Sequence, residues 1–100
     1  MYRFVTSKAY LEWFEGITVK EQALLNSRLL RIQEYDHFGD YKSLGEGLFE
    51  LRWKSGLRVY YSIAYDEQGK LVLLLLGGKK TSQKKYIKKS RKILKENVEE

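Results

Sequence analysis

One hundred residues with a formal net charge of +6, 43% hydrophobic and 14% aromatic, suffice for one hydrophobic core and are too few for two. The absence of cysteine excludes a disulfide framework, a thiolate metal site and a cysteine nucleophile, and it suits a reducing compartment. No apolar run exceeds six residues, far below the ~20 of a membrane-spanning helix. The N-terminal segment through Thr6 holds no signal-peptide core, so a soluble, cytoplasmic domain over residues 1–100 with no membrane partner is expected.

In chain order, Tyr2 to Val5 predicts a short strand. Thr6 or Ser7 then caps a helix through Glu15, with Tyr10, Leu11, Trp13 and Phe14 on its apolar side and Gly16 at its end. Thr18 and Glu21, three apart, form a capping box. That box opens a second helix to about Tyr35, with Leu25, Leu29 and Ile32 along one face. His37 to Gly47 carries three glycines and reads as a loop.

From Leu48 the apolar period becomes two. Phe49, Leu51 and Trp53 face one way, and Leu48, Glu50 and Arg52 the other. Lys54 to Gly56 predicts a hairpin turn, after which Leu57, Val59, Tyr61, Ile63 and Tyr65 continue the apolar face opposite Arg58, Tyr60, Ser62 and Ala64. Asp66 to Gly69 is the next turn. Leu71 to Leu76, six apolar residues in a row, predicts a strand buried on both faces. A last helix runs from about Ser82 to Glu96 with Tyr86, Ile87, Ile93 and Leu94 as its apolar positions. The sum is β-α-α-β-β-β-α, an α+β fold with helices against one face of a small, mostly antiparallel sheet. Arg52 and Arg58 are then expected on the exposed face, on neighbouring strands with Tyr60 close by, unless Glu50 claims either arginine in a salt bridge.

The junction after Leu76 carries the strongest functional signal. Gly77 and Gly78 close the strand, Thr81 or Ser82 offers a helix cap, and Lys79, Lys80, Lys84 and Lys85 surround that cap. A helix N-terminus favours anions, so lysines there oppose the local rule. Residues 79–95 hold nine lysines or arginines and no acid. Glycine backbone, helix N-terminus and ammonium groups together suit a polyanion; the plain alternative is a solvated, lysine-rich face.

The segments Gly47 to Arg52, Gly56 to Tyr61 and Leu76 to Lys84 stand in the order seen in the RelE/ParE toxin superfamily. They resemble most its phage-derived, HigB-like branch, the "addiction module killer protein" group, as do the helix segment Arg28 to Ile32 and the loop His37 to Lys42. The resemblance covers nearly the whole chain and implies the toxin of a type II toxin–antitoxin pair. Many such toxins cleave messenger RNA in the ribosomal A site, and the ParE branch inhibits DNA gyrase. The implied catalytic residues are Arg52, Arg58, Lys80 and Tyr86, with Lys79, Gln83, Lys84, Lys85 and Tyr60 contacting RNA. The chain departs from the group at Lys79, commonly an acid there, and at Tyr86, often an aspartate. Glu50 stands where well-studied RelE enzymes are basic. No cofactor and no metal site are implied; the partners implied are a small helix-turn-helix antitoxin and mRNA on the ribosome.

Ribonuclease chemistry of this kind needs a base for a ribose 2′-OH, cations for the pentacoordinate phosphate and an acid for the leaving oxygen. Arg58 and Lys80 suit the charge, and Tyr86 suits proton transfer or else anchors its helix to the core. With His37 the only histidine, a histidine acid–base pair is excluded, and a structural or solvent role is expected for it. A gyrase-type inhibitor and a plain nucleic-acid-binding domain remain as alternatives.

Overall fold

The computed structural model describes residues 2–98. In chain order it places β1 (Arg3–Thr6), α1 (Lys8–Gly16), α2 (Val19–Tyr35), β2 (Tyr41–Gly45), β3 (Leu48–Arg52), β4 (Leu57–Asp66), β5 (Gly69–Lys79), a 3-10 turn (Lys80–Ser82) and α3 (Gln83–Val98). The strands form one sheet in the order β1-β5-β4-β3-β2, antiparallel except that β1 runs parallel to β5. The α+β class stands, with five strands where the sequence suggested four.

The extra strand is β2, inside the segment expected to be a loop. Its residues are mostly exposed, so no apolar alternation marks them. Pairing along β3, from Tyr41↔Leu51 to Gly45↔Leu48, makes the strand, and Arg91 of α3 donates to the Leu44 and Gly45 carbonyls at 2.7 and 3.2 Å. Tertiary partners here override local propensity.

Helix starts follow their side-chain chemistry. Ser7, rather than Thr6, caps α1, accepting from the Tyr10 amide at 2.9 Å. Thr18 and Glu21 close a reciprocal capping box on α2, with both bonds at 3.1 Å. The second helix ends at Asp36, which takes a left-handed conformation with φ of 54°.

The sheet is covered on both faces, which corrects the expectation of helices against one. Tyr10, Leu25, Ile32, Leu51, Trp53, Leu57, Val59, Tyr61, Val72 and Leu74 form the core under α1 and α2. On the opposite face Leu48, Tyr60 and Leu75 meet Tyr86, Ile87, Ile93 and Leu94 of α3. Each fully buried aliphatic contributes about 1.5–3 kcal/mol. The run Leu71–Leu76 feeds both cores: Val72 and Leu74 point to α1 and α2, Leu73 and Leu75 to α3. Tyr60 pairs with Leu76 and Tyr61 with Leu74, so Leu75 sits in a bulge of β5. No helix among the described residues is long and apolar enough to cross a membrane.

Candidate functional site

The β3–β4 hairpin, the end of β5 and the start of α3 converge. Arg52 stands directly opposite Arg58 in the sheet, and Arg58 stands opposite Gly78. The Lys80 amide donates to the Gly56 carbonyl at 2.8 Å, fixing the 3-10 turn beside the hairpin tip. Tyr86, one helical turn on, packs over Gly78: a Cβ added there would fall 2.5 Å from the Tyr86 ring. Gly77 has the same relation to Trp13 on the other face, at 2.2 Å. The double glycine is therefore a contact requirement, because it lets α1 and α3 lay aromatic rings on the strand.

Beneath α3 lies a polar cluster. Glu50 is fully buried, and its Oε2 accepts a 2.6 Å hydrogen bond from the Gln83 amide. Its Oε1 lies 3.6 Å from Arg52 Nε as an ion pair. Arg58 is 5% exposed and donates to the Trp53 and Leu57 carbonyls, both at 2.9 Å. Tyr60, opposite Glu50 in the register, is completely buried. Burial first, and the Glu50 carboxylate second, push its phenol well above the usual tyrosine range. Glu50 Oε1, Arg52 Nε, Arg58 Nε and Tyr60 OH make no hydrogen bond among the described residues. Glu50 Oε1 and Arg52 Nε face each other in the ion pair, while Arg58 Nε and Tyr60 OH are left uncompensated at about 1–3 kcal/mol each, a cost of the kind that concentrates where function opposes stability.

These placements correct part of the sequence-based picture. Arg58 and Tyr60 were expected on an open sheet face and lie under α3 instead. The period-two pattern set their face correctly but could not show that a helix covers it. Arg52 keeps a side chain 36% exposed at the edge of the cluster and is held by Glu50, the salt bridge weighed as its alternative role. Gln83 points inward to Glu50, away from the surface role expected of it.

Lys79 is the last residue of β5, and its ammonium pairs with Glu21, the carboxylate that also closes the α2 capping box. Neither Thr81 nor Ser82 caps the turn that leads into α3: Lys79 holds that place without a side-chain bond. Lys80, Lys84 and Lys85 are exposed around the junction, and the first turn of α3 has no acid. The ammonium groups of Lys85 and Lys89 sit 5.9 and 5.8 Å from the Tyr86 ring centre. His37 is exposed, outside this convergence.

The residue that sequence reasoning undervalued is Glu50. Its place on the same face of β3 as Leu48 and Arg52 was legible; its register opposite Tyr60 and its burial were not. Among the described residues, no group of three or more His, Cys, Asp or Glu side chains gathers in metal-binding geometry.

Residues 12–98 match the family described as "Phage derived protein Gp49-like". An uncharacterized protein of Haemophilus influenzae is 36% identical over 94 residues, 91% of each chain. Among solved structures, the chain is similar to the intact E. coli RelBE toxin–antitoxin complex, with TM-score 0.66 and 17% identity over 79% of this chain and 96% of that one. It is similar also to the isolated E. coli RelE toxin, with TM-score 0.65 and 17% identity over 79% and 84%. The RelB–RelE complex of Methanococcus jannaschii gives TM-score 0.61 and 8% identity over 82% and 96%. The chain belongs to the phage-derived Gp49-like family, and its α+β architecture is that of the RelE toxins.

Proposed function

We propose that residues 1–100 are a single toxin domain of a type II toxin–antitoxin module and that it acts as a ribosome-dependent mRNA endonuclease in the cytoplasm. The observation that carries this reading is the convergence of Arg52, Arg58, Lys80 and Tyr86 on one end of the sheet, with Lys84 and Lys85 exposed beside them. Such a patch binds phosphates, and a chain without a histidine pair relies on the ribosome to place the ribose 2′-OH against its phosphate.

In this reading Arg52 and Lys80 meet the scissile phosphate and stabilise the charge that grows on it. Arg58, spent on two carbonyls, fixes the hairpin tip and adds positive potential from below. Tyr86 lies within the patch as the group for proton transfer. The 2′-OH attacks the adjacent phosphorus, its proton passes to the enzyme, and the 5′-oxygen leaves with a proton in return, giving a cyclic phosphate and a new 5′ end. An antitoxin partner is supported by the RelB-bound state of the E. coli and M. jannaschii relatives. A small helix-turn-helix protein whose acidic or apolar segment covers the basic patch fits the charge of this surface.

The burial of Arg58 favours one second reading, a non-nucleolytic inhibitor that uses the same surface against a protein such as gyrase. Transcript mapping after brief induction without antitoxin separates the two. New 5′ ends at in-frame positions of translated messages, absent with Lys80→Ala, are the expected result. Growth arrest with intact messages would overturn the nuclease and leave the inhibitor.

A further inference from the structure

Side chains alternate along the end of β5, and this divides two neighbouring lysines. Gly77 meets Trp13 of α1 on one face of the sheet, and Gly78 meets Tyr86 of α3 on the other. Lys79 returns to the first face, where its ammonium pairs with Glu21 of α2. Lys80 lies past the strand, in the 3-10 turn beside Gly56 at the hairpin tip. We infer that Glu21 bounds the RNA path: it withdraws Lys79 from the strand and leaves Lys80 as the phosphate contact of the junction. The inference rests on the proposed function for RNA as the ligand, and it adds which face of the sheet the strand follows.

Glu21 is held in place by more than its lysine. Its Oε1 accepts from the Thr18 amide and the Thr18 hydroxyl, both at 3.1 Å, and its Oε2 pairs with Lys79. It is also the acid in the first turn of α2, where the helix N-terminus stabilises its charge. The carboxylate therefore stays beside Lys79 with or without RNA, and a phosphate arriving there meets a fixed negative charge. A lysine that already has an anion at its ammonium releases little counterion on meeting a phosphate. This removes Lys79 from the RNA contacts that the family resemblance implied.

The α3 side of the junction differs. Lys80, Lys84 and Lys85 are exposed there, and the first turn of α3 carries no acid. Glu50 on that face is fully buried and already faces Arg52. A strand with its phosphate at Arg52 and Lys80 thus continues along α3 and does not cross β5 toward α2. The Glu21–Lys79 pair contributes little to stability, because Lys79 is half exposed, so its removal tests charge without unfolding the chain.

Salt dependence counts the phosphate contacts. Each one made to a single strand steepens the fall of log affinity with log salt by about 0.7. The full chain is titrated with a single-stranded oligouridylate across a potassium chloride series. Lys80→Ala is expected to make the slope shallower by about 0.7, and Lys79→Ala to leave it unchanged. Glu21→Gln keeps an oxygen for the Thr18 amide and frees Lys79, so the slope should steepen by about 0.7. Adding Lys79→Ala to Glu21→Gln should restore the original slope. A slope made as shallow by Lys79→Ala as by Lys80→Ala, or one unmoved by Glu21→Gln, overturns the boundary. The two proposals fail separately. Messages cut in cells by a chain in which both lysine variants lose slope alike would remove the boundary and keep the nuclease. The expected slopes in a chain that leaves messages intact would do the reverse.

Discussion

The amide of Gln83, at the first position of α3, donates a 2.6 Å hydrogen bond to the buried carboxylate of Glu50 in β3. This bond ties the basic junction to the centre of the sheet, across 33 residues of sequence. Its donor is half-buried and its acceptor fully buried, so little of its strength is lost to solvent. Gln83→Ala removes this hydrogen bond to Glu50 Oε2 and is expected to destabilise by about 1–3 kcal/mol. For a chain of this length the melting temperature should fall by about 4–8 °C per kcal/mol. Thermal unfolding followed by circular dichroism checks this; an unchanged midpoint would show that the bond contributes nothing net.

Gly77 and Gly78 should resist the smallest enlargement. A methyl at Gly77 meets the Trp13 ring at 2.2 Å, and one at Gly78 meets the Tyr86 ring at 2.5 Å. Both rings are held between a helix and the strand, so neither can give way without repacking. Alanine at either position is expected to cost about 1–3 kcal/mol by overpacking. Gly78→Ala should also move Tyr86 relative to the junction and so lower toxicity more than Gly77→Ala does. Urea unfolding paired with growth arrest on induction reads both effects.

Arg28 is a clasp that lysine cannot replace. Its planar guanidinium reaches three carbonyls from different segments and stacks on Trp53 at once. Burial lowers its pKa, with Asp40 acting in the opposite sense. Arg28→Lys keeps the charge and loses the fork, so a loss of about 1–3 kcal/mol is expected. Stability equal to wild type would show that charge alone holds α2 to the hairpin.

Alkaline pH should reach the core through its tyrosines. Burial raises the phenol pKa of Tyr10, Tyr60 and Tyr61 in the folded state. Unfolded, these groups titrate at the ordinary ~10. Above that value the unfolded chain releases protons that the folded chain keeps, so stability is full below pH ~10 and falls as pH rises beyond it. Phenolate absorbance during an alkaline titration should show these three of the eight tyrosines ionising only as the fold is lost. Ionisation of all eight with the fold intact would contradict the burial argument.

How much the sequence settled follows from the range of each interaction. The capping box of Thr18 and Glu21, the end of α2 near Tyr35, the hairpin at Gly56 and the doubly buried run at Leu71 all rest on neighbours a few residues apart. Hydroxyl–carboxylate spacing, apolar period and glycine placement encode those contacts directly, and each element appears where it was expected. The α+β class was legible on the same grounds, whereas the grouping of Arg52, Arg58, Lys80 and Tyr86 was what the family resemblance implied.

What only the tertiary structure decided are the contacts between distant segments. Strand β2 exists because β3 and Arg91 supply partners that its own exposed residues do not announce. Lys79 is neutralised by Glu21 from another element, and Arg58 and Tyr60 are covered because α3 crosses the face that period-two patterning leaves polar. Periodicity tells which residues share a face, since that is set by backbone geometry. Whether water or a helix lies against that face is set by which arrangement buries more apolar surface, a property of the whole chain. Here Tyr86, Ile87, Ile93 and Leu94 close over Leu48, Tyr60 and Leu75, and the charged cluster is carried inside with them.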